Sequence, residues 1–258
     1  MKGKTTGEGI KLRGCFAFGR TLFYQYDVPH DWDQYSVTKK QLIANFKTAD
    51  IGESYFKEDI GVNLTYYNGS SLIKKINIES YEFAPFNYEL GEYLNIKDHK
   101  KSKGINLKLK VPEGWEIREG NRPNIVKKFV KDGCQYLITT TNNEYFFSRN
   151  EVRELLNDDS FVDEVLEGIT SEYKNVKDIK KSIITVDTYP TLSIKFKGEQ
   201  EYLGITSSNT VNMWLIFYED KSVGLMGATT STNKTKIKAL EQLYLRITNS
   251  AIFPDQYK

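Results

Sequence analysis

Short β-type runs separated by tight turn signals most constrain how this chain can fold. Residues 125–131 and 135–141 are two such runs, and Asp132-Gly133 lies between them. Asn68-Gly69 separates another pair of runs in the first third of the chain. Asp-Gly and Asn-Gly between such runs are the strongest short-range hairpin signals. The sequence therefore predicts antiparallel strands in both halves.

Helical periodicity appears at three places between these runs. Ser148 and Glu151 form a capping box, and the apolar residues up to Ile169 follow at helical spacing, with a possible break at 157–160. A last helix is predicted from near Asn233, and Ser36 or Thr38 is expected to cap a shorter helix that ends near Lys47. Hairpins alternating with helices predict an α+β fold, with an antiparallel sheet sandwiched or flanked by helices and a smaller N-terminal α+β unit.

Two features predict where the chain divides. The motif V-P-x-x-W occurs at Val28–Trp32 and again 83 positions later, at Val111–Trp115, so residues 1–98 are interpreted as a possible degenerate repeat of 104–258. The alternative is two strands that each end at a proline. The polar, Lys-rich stretch 95–104 is predicted to be the linker or an exposed loop. Trp115 and Trp32 are expected to pack in the two cores.

Residues 104–253 resemble the PsbP-like superfamily, which includes PsbP, a Ran-binding nuclear transport factor and DcrB-like proteins. The resemblance rests on Val111-Pro112-Glu113-Gly114-Trp115, on the capped helical segment 148–173 and on the closing segment 247–253. It implies an antiparallel sheet between helices and a binding role rather than catalysis. It supplies no shared catalytic motif, so no functional residue is transferred from it.

Charge and hydropathy limit the partners. The chain of 258 residues carries 36 Lys and Arg against 34 Asp and Glu, so its net charge of +2 predicts no nucleic-acid partner. No run of about 18 apolar residues is present, which predicts no transmembrane segment. The sequence as written has no signal peptide, so a cytoplasmic location is expected, with periplasm or export as the alternative if a signal was removed.

Few residues are available for catalysis or metal binding. The two cysteines, Cys15 and Cys134, are expected to be buried thiols rather than a disulfide, and neither they nor the two histidines have zinc-ligand spacing. Asp31-Trp32-Asp33 has a D-x-D spacing that can hold a divalent metal, but solvated turn residues are the preferred interpretation. No cofactor, metal or catalytic residue is predicted.

The leading hypothesis is a non-catalytic protein-binding module that uses a sheet surface or the groove beside a helix. The candidate binding residues are aromatics of the segment 81–93, namely Tyr81, Phe83, Phe86, Tyr88 and Tyr93. The acidic helical segment 151–167 is a further candidate surface for a basic partner. The alternatives are a secretion-associated chaperone, immunity factor or envelope protein, and a hydrolase with a carboxylate site such as Asp31 and Asp33. The oligomeric state is open.

Overall fold

The computed structural model of the protein describes residues 9–49, 51–84, 89–202 and 204–258. The chain divides into two compact units, residues 1–86 and residues 87–258. Both combine helices with mostly antiparallel strands, so the predicted α+β class is confirmed. None of the helices in the described residues is long and apolar enough to cross a membrane.

The first unit is a four-stranded sheet with two helices inserted after its second strand. In chain order its elements are β1 (Lys11–Phe18), β2 (Thr21–Asp27), α1 (Lys39–Thr48), α2 (Ile51–Lys57), β3 (Gly61–Asn68) and β4 (Ser71–Ile78). The strand order is β1-β2-β3-β4. β2 and β3 pair in parallel, which requires a long crossover, and α1 and α2 supply it.

Local signals set the element ends of the first unit. Thr38 caps α1 through a full capping box with Gln41, as predicted. Gly69, with φ of 58°, turns the predicted β3–β4 hairpin. The core forms where the 3₁₀ turn Ser80–Phe83 meets the helices, and Phe83 lies edge-on to Phe46 there. Trp32 is half-buried and stacks on Tyr66, with ring centroids 4.9 Å apart.

The second unit is built on a six-stranded sheet. Its elements in chain order are β5 (Leu90–Asn95), β6 (Lys108–Pro112), β7 (Glu116–Glu119), β8 (Ile125–Lys131), β9 (Cys134–Phe147), α3 (Arg149–Leu156), α4 (Asp159–Thr170), β10 (Lys174–Val186), β11 (Tyr189–Tyr202), β12 (Ile205–Thr229) and α5 (Lys234–Asn249). The order in the large sheet is β10-β11-β12-β9-β8-β7, and β5 pairs with β6. All these pairings are antiparallel.

The long strand β12 doubles back on itself near Glu219. Its first half pairs with β11 and its second half pairs with β9. Val211 and Ala228 belong to one core cluster, although 17 residues of straight strand would span about 55 Å. The chain must therefore reverse between them, and Glu219, with φ of 57°, lies at the reversal.

Helices lie on both faces of the large sheet. On one face, Val152, Leu156 and Val162 of α3 and α4 share a core cluster with side chains of β11 and β12. On the opposite face, the Tyr244 hydroxyl of α5 donates to the Ala228 carbonyl of β12 at 2.9 Å. Trp115 is buried against Tyr244, as expected. We call these the α4 face and the α5 face.

The composition of the segment 95–104 predicted a linker or an exposed loop. The structure places this segment inside the second unit, because the chain divides after residue 86. Ile96 and Ser102 are buried, and Lys101 Nζ donates to the carbonyls of Gly120 and Arg122 at 2.6 and 3.0 Å. Thr140 of β9 also donates to the Lys101 carbonyl. Residues distant in sequence thus provide hydrogen-bond partners for the polar groups of this segment, and composition alone cannot reveal such partners.

The shared V-P-x-x-W motif does not mark a common topology. At the offset of 83 residues, the helix α1 would correspond to the strand β8: Phe46 is helical, whereas its counterpart Phe129 is in a strand. β2 ends two residues before Pro29, and β6 ends at Pro112 itself, which fits the simpler interpretation of strands that end at a proline. The cysteines are both free, as expected, but Cys15 is exposed and only Cys134 is buried.

Candidate functional site

The two faces of β9 differ in what they carry. Tyr136, Ile138 and Thr140 point to the α5 face and are completely buried. Gln135 and Thr139 alternate with them on the α4 face and are only half-buried. Successive strand residues point to opposite faces, so one strand supplies both a closed core and a partly open surface.

A cleft of about 1000 Å³ lies on the α4 face because α4 covers only part of the sheet. Strands β8, β9 and β12 form its floor, and the last turns of α4 form its wall. We call it the α4 cleft. Its floor and wall residues include Leu137, Thr139, Thr141, Met213, Leu215, Ser222, Gly224, Met226, Val165, Gly168 and Ile169. Two methionines give this floor flexible, adaptable side chains.

Gly168 is the unusual residue in the wall of the cleft. It lies in the last turn of α4, which ends at Thr170, and glycine has a lower helix propensity than alanine by up to about 1 kcal/mol. A Cβ atom at this position would have no heavy atom within 4 Å. No contact within the protein therefore requires a glycine here. Its effect is to expose the helix backbone to whatever enters the cleft.

Polar and charged side chains border the cleft. Arg122, after β7, pairs with Glu172, beyond the end of α4, at 2.9 Å, and both side chains are more than half exposed. Lys128 Nζ donates to Asn121 Oδ1 at 2.8 Å. An exposed ion pair of this kind contributes little free energy, so it can open without much cost.

Tyr173 closes the end of the cleft beside β11. Its ring lies edge-on to Phe196, with centroids 4.9 Å apart, and its hydroxyl points to Met226 Sδ at 4.0 Å. Burial raises the pKa of Tyr173 to about 12. At the rim, a hydrogen bond from Lys174 lowers the pKa of Glu201. Both shifts move away from neutral pH, so these two groups keep one charge state across the physiological range.

The aromatic residues predicted for binding are divided between the two units. Phe83 is buried in the core of the first unit, between Phe46 and Tyr55, so its ring is already covered within the protein. Tyr81 is half-buried in the same unit. Tyr93 belongs to the second unit and is 45 % exposed, with Lys110 Nζ 5.2 Å from its ring centroid. Phe86 and Tyr88 lie outside the described residues.

The residues considered for catalysis have structural partners. Asp33 Oδ1 accepts from the Tyr35 amide at 2.9 Å, so it stabilises a turn. His99 Nδ1 accepts from the Lys101 amide, which leaves Nε2–H to donate to Glu119 at 2.8 Å. Cys134 Sγ lies 3.6 Å from Thr229 Oγ1. Within the described ranges, no three His, Cys, Asp or Glu side chains come together as a metal site requires.

Sequence reasoning missed both the cleft and a second exposed feature, Tyr145 and Phe146. Weak signals for them exist. Gly168 interrupts an otherwise amphipathic helix pattern, which points to a packing or functional reason. Tyr145, Phe146 and Phe147 are consecutive aromatics in a strand, and a period of two cannot turn all three toward one core. Tyr145 is 69 % exposed and Phe146 is 66 % exposed.

Comparisons with known proteins find similar solved structures but no family. No family model matches the chain, and no curated protein matches it. Among solved structures, cyanobacterial PsbP from Synechocystis sp. PCC 6803 is similar at 8 % identity, over 64 % of this chain and 94 % of that one, with a TM-score of 0.43. LpqN, described as involved in cell envelope biogenesis of Mycobacterium tuberculosis, is similar at 12 % identity, over 57 % and 82 %, with a TM-score of 0.38.

A protein of unknown function from Pseudomonas aeruginosa, PA94, is also similar, at 11 % identity over 62 % of this chain and 96 % of that one, with a TM-score of 0.35. The likeness to PsbP suspected from the sequence is thus found again when structures are compared, and it extends over part of the chain. Identities this low do not carry function from one protein to another.

Proposed function

We propose that this protein is a non-catalytic binding module whose α4 cleft accepts an apolar segment of a partner protein. The observation that carries the proposal is the uncovered part of the α4 face, where a floor of mixed apolar and polar side chains meets a glycine that no internal contact requires. Clefts of about 300–1,000 Å³ that combine apolar walls with a few polar groups are typical binding sites.

The arrangement of side chains favours a protein partner. Leu137, Met213 and Met226 offer apolar contact, while Thr139 and Gln135 add hydrogen-bonding groups at the floor. Apolar centres with polar rims are the usual anatomy of a protein interface. Gly168 allows close approach to the α4 backbone, and the Arg122–Glu172 pair at the border is weak enough to exchange partners.

A blocking substitution tests the proposal. Gly168→Trp places a large ring in the cleft, whereas Gly168→Ala leaves the cleft nearly unchanged, since its added methyl meets no neighbour. The full chain is immobilised, and partners from the native host are identified by mass spectrometry and then titrated by calorimetry. We expect the wild type and Gly168→Ala to bind the same partner and Gly168→Trp to lose it.

A second blocking position and a remote control sharpen the experiment. Thr141→Trp is introduced at an exposed strand position of the floor, so it tests the cleft again if the helix variant folds poorly. Asp31→Asn with Asp33→Asn in the first unit should leave partner capture unchanged. Unaltered binding by both folded tryptophan variants would contradict the proposal. So would turnover of a small substrate that the blocked cleft abolishes.

A further inference from the structure

A second recess, separate in position from the α4 cleft, lies beside α3. It has a volume of about 520 Å³ and is lined by Tyr145, Phe146, Phe147, Glu151, Glu154, Leu155 and Asp158. We call it the α3 notch. No lysine, arginine or histidine is among the described residues that line it, so three carboxylates surround exposed aromatic rings.

A strand irregularity projects the two exposed aromatics. Lys221 pairs with Asn142 and Glu219 pairs with Phe147, so the four residues 143–146 of β9 lie opposite Asp220 alone. Surplus residues of this kind interrupt the ladder, bend the strand and redirect side chains. Tyr145 and Phe146 lie in this surplus and remain about two-thirds exposed. Large exposed apolar side chains that adjoin one another mark interaction sites.

Helix α3 and the cap of α4 place the three carboxylates along the same notch. Glu151 and Glu154 are three residues apart on one side of α3, while Val152 and Leu156 point into the core. Asp158 follows α3 as the N-cap of α4. The Glu154 carboxylate has no hydrogen-bond or ion-pair partner among the described residues, although its backbone carbonyl accepts from the Asn157 amide. Hydrogen bonds with Ser148 and Ser160 lower the pKa of Glu151 and Asp158, respectively. Both carboxylates therefore stay ionised in mildly acidic solution.

We infer that the α3 notch binds a cationic segment of a partner protein, in which arginine or lysine side chains alternate with apolar ones. The faces of Tyr145 and Phe146 attract a cation, and the three carboxylates supply complementary charge. An arginine stem covers apolar surface while its guanidinium reaches a carboxylate, so one side chain satisfies both features of the notch. An acidic or neutral segment would leave the Glu154 charge uncompensated.

The test uses the full chain and a labelled hexapeptide of alternating leucine and arginine, with binding followed by fluorescence anisotropy. Glu154→Gln with Asp158→Asn removes two charges but keeps the cap of α4, because asparagine caps helices as well as aspartate. We expect this variant to bind about fivefold more weakly. Tyr145→Ser with Phe146→Ser should weaken binding about tenfold. Added salt should weaken binding of the wild type as well.

Matched controls make the result decisive. Glu164→Gln with Glu167→Gln removes two exposed carboxylates from α4, outside the notch, and should leave the affinity unchanged. Equal binding by the two charge variants would overturn the inference, as would equal binding of a leucine–glutamate hexapeptide. Self-association lost in Glu154→Gln with Asp158→Asn would overturn it in favour of a second copy of this chain. Gly168→Trp should bind the hexapeptide normally, which separates this inference from the proposed function.

Discussion

The two faces of the six-stranded sheet are formed by the same strands but differ in how closely they are packed. On the α5 face, Tyr136 of β9 and Tyr244 of α5 are completely buried, and the Tyr136 hydroxyl bonds to Thr248 Oγ1 at 2.8 Å. On the α4 face, β9 presents a mixture of polar and apolar side chains, and part of that mixture lines a cleft. The α5 face is closely packed, whereas the helices on the α4 face leave part of the sheet uncovered.

Under the proposed function, this difference divides stability from binding in the second unit. Buried apolar area and satisfied hydrogen bonds on the α5 face stabilise the unit without any partner. An open apolar surface stabilises the fold less, and the remaining free energy becomes available when something else covers it. Substitutions on the two faces should therefore separate the loss of folding from the loss of binding.

Truncating one leucine on each face of β12 should give the largest contrast. Leu225 is fully buried on the α5 face, whereas Leu215 is half-buried at the α4 cleft. We expect Leu225→Ala to lower the free energy of unfolding by about 2–5 kcal/mol and Leu215→Ala to cost at least about 1 kcal/mol less. Urea unfolding followed by circular dichroism measures both values. Equal losses would mean that the α4 face is as closely packed as the α5 face.

Two glycines provide a second contrast, of opposite sign. A Cβ at Gly227 would lie 2.2 Å from the Tyr244 ring on the α5 face, whereas a Cβ at Gly168 would meet nothing. Gly227→Ala should therefore cost about 1–3 kcal/mol through overpacking. Gly168→Ala should stabilise the protein by up to about 1 kcal/mol through helix propensity. Thermal and urea unfolding of the two variants check the signs, and a destabilised Gly168→Ala would show that the wall of the cleft is packed.

A pH dependence should come from Glu119 of β7, which contacts His99 in the segment between β5 and β6, and it should be the smallest effect. Hydrogen bonds from Lys127 and His99 lower the pKa of Glu119 to about 2, from 4.5. A lowered carboxyl pKa contributes stability above the unfolded value of 4.5, and this is lost as the pH falls toward 2. Urea midpoints between these pH values should therefore fall less steeply in Glu119→Gln than in the wild type. Identical slopes would show that the exposed carboxylate contributes nothing measurable.

Some elements of this fold follow from short stretches of sequence. Asp132 and Gly133 adopt φ of 47° and 76°, as a two-residue hairpin turn requires, and Ser148 with Glu151 starts α3 by a capping box. Asp158 begins α4 at the predicted break. Each of these features depends on atoms a few residues apart, so the local sequence contains all the information needed.

Other elements escaped prediction although they are equally regular. β1 precedes β2 in a hairpin that turns at Gly19, but its alternate residues Phe16 and Phe18 are both exposed, so β1 has no buried apolar face. β5 lies in the segment that was interpreted as a binding surface. Their strand character comes from pairing with β2 and β6 rather than from their own pattern.

The candidate sites show the same division. The sequence by itself determined the α+β class, the hairpins, the caps and the helices, because backbone hydrogen bonds and periodicity over a few residues decide them. Only the tertiary structure decided that Phe83 is covered, that Tyr145 and Phe146 are exposed, and that α4 stops short of covering β9. These outcomes depend on residues far apart in the chain, since the cleft forms from side chains of β8, β9, β12 and α4. Burial is a property of the whole packed unit, and no local pattern specifies it.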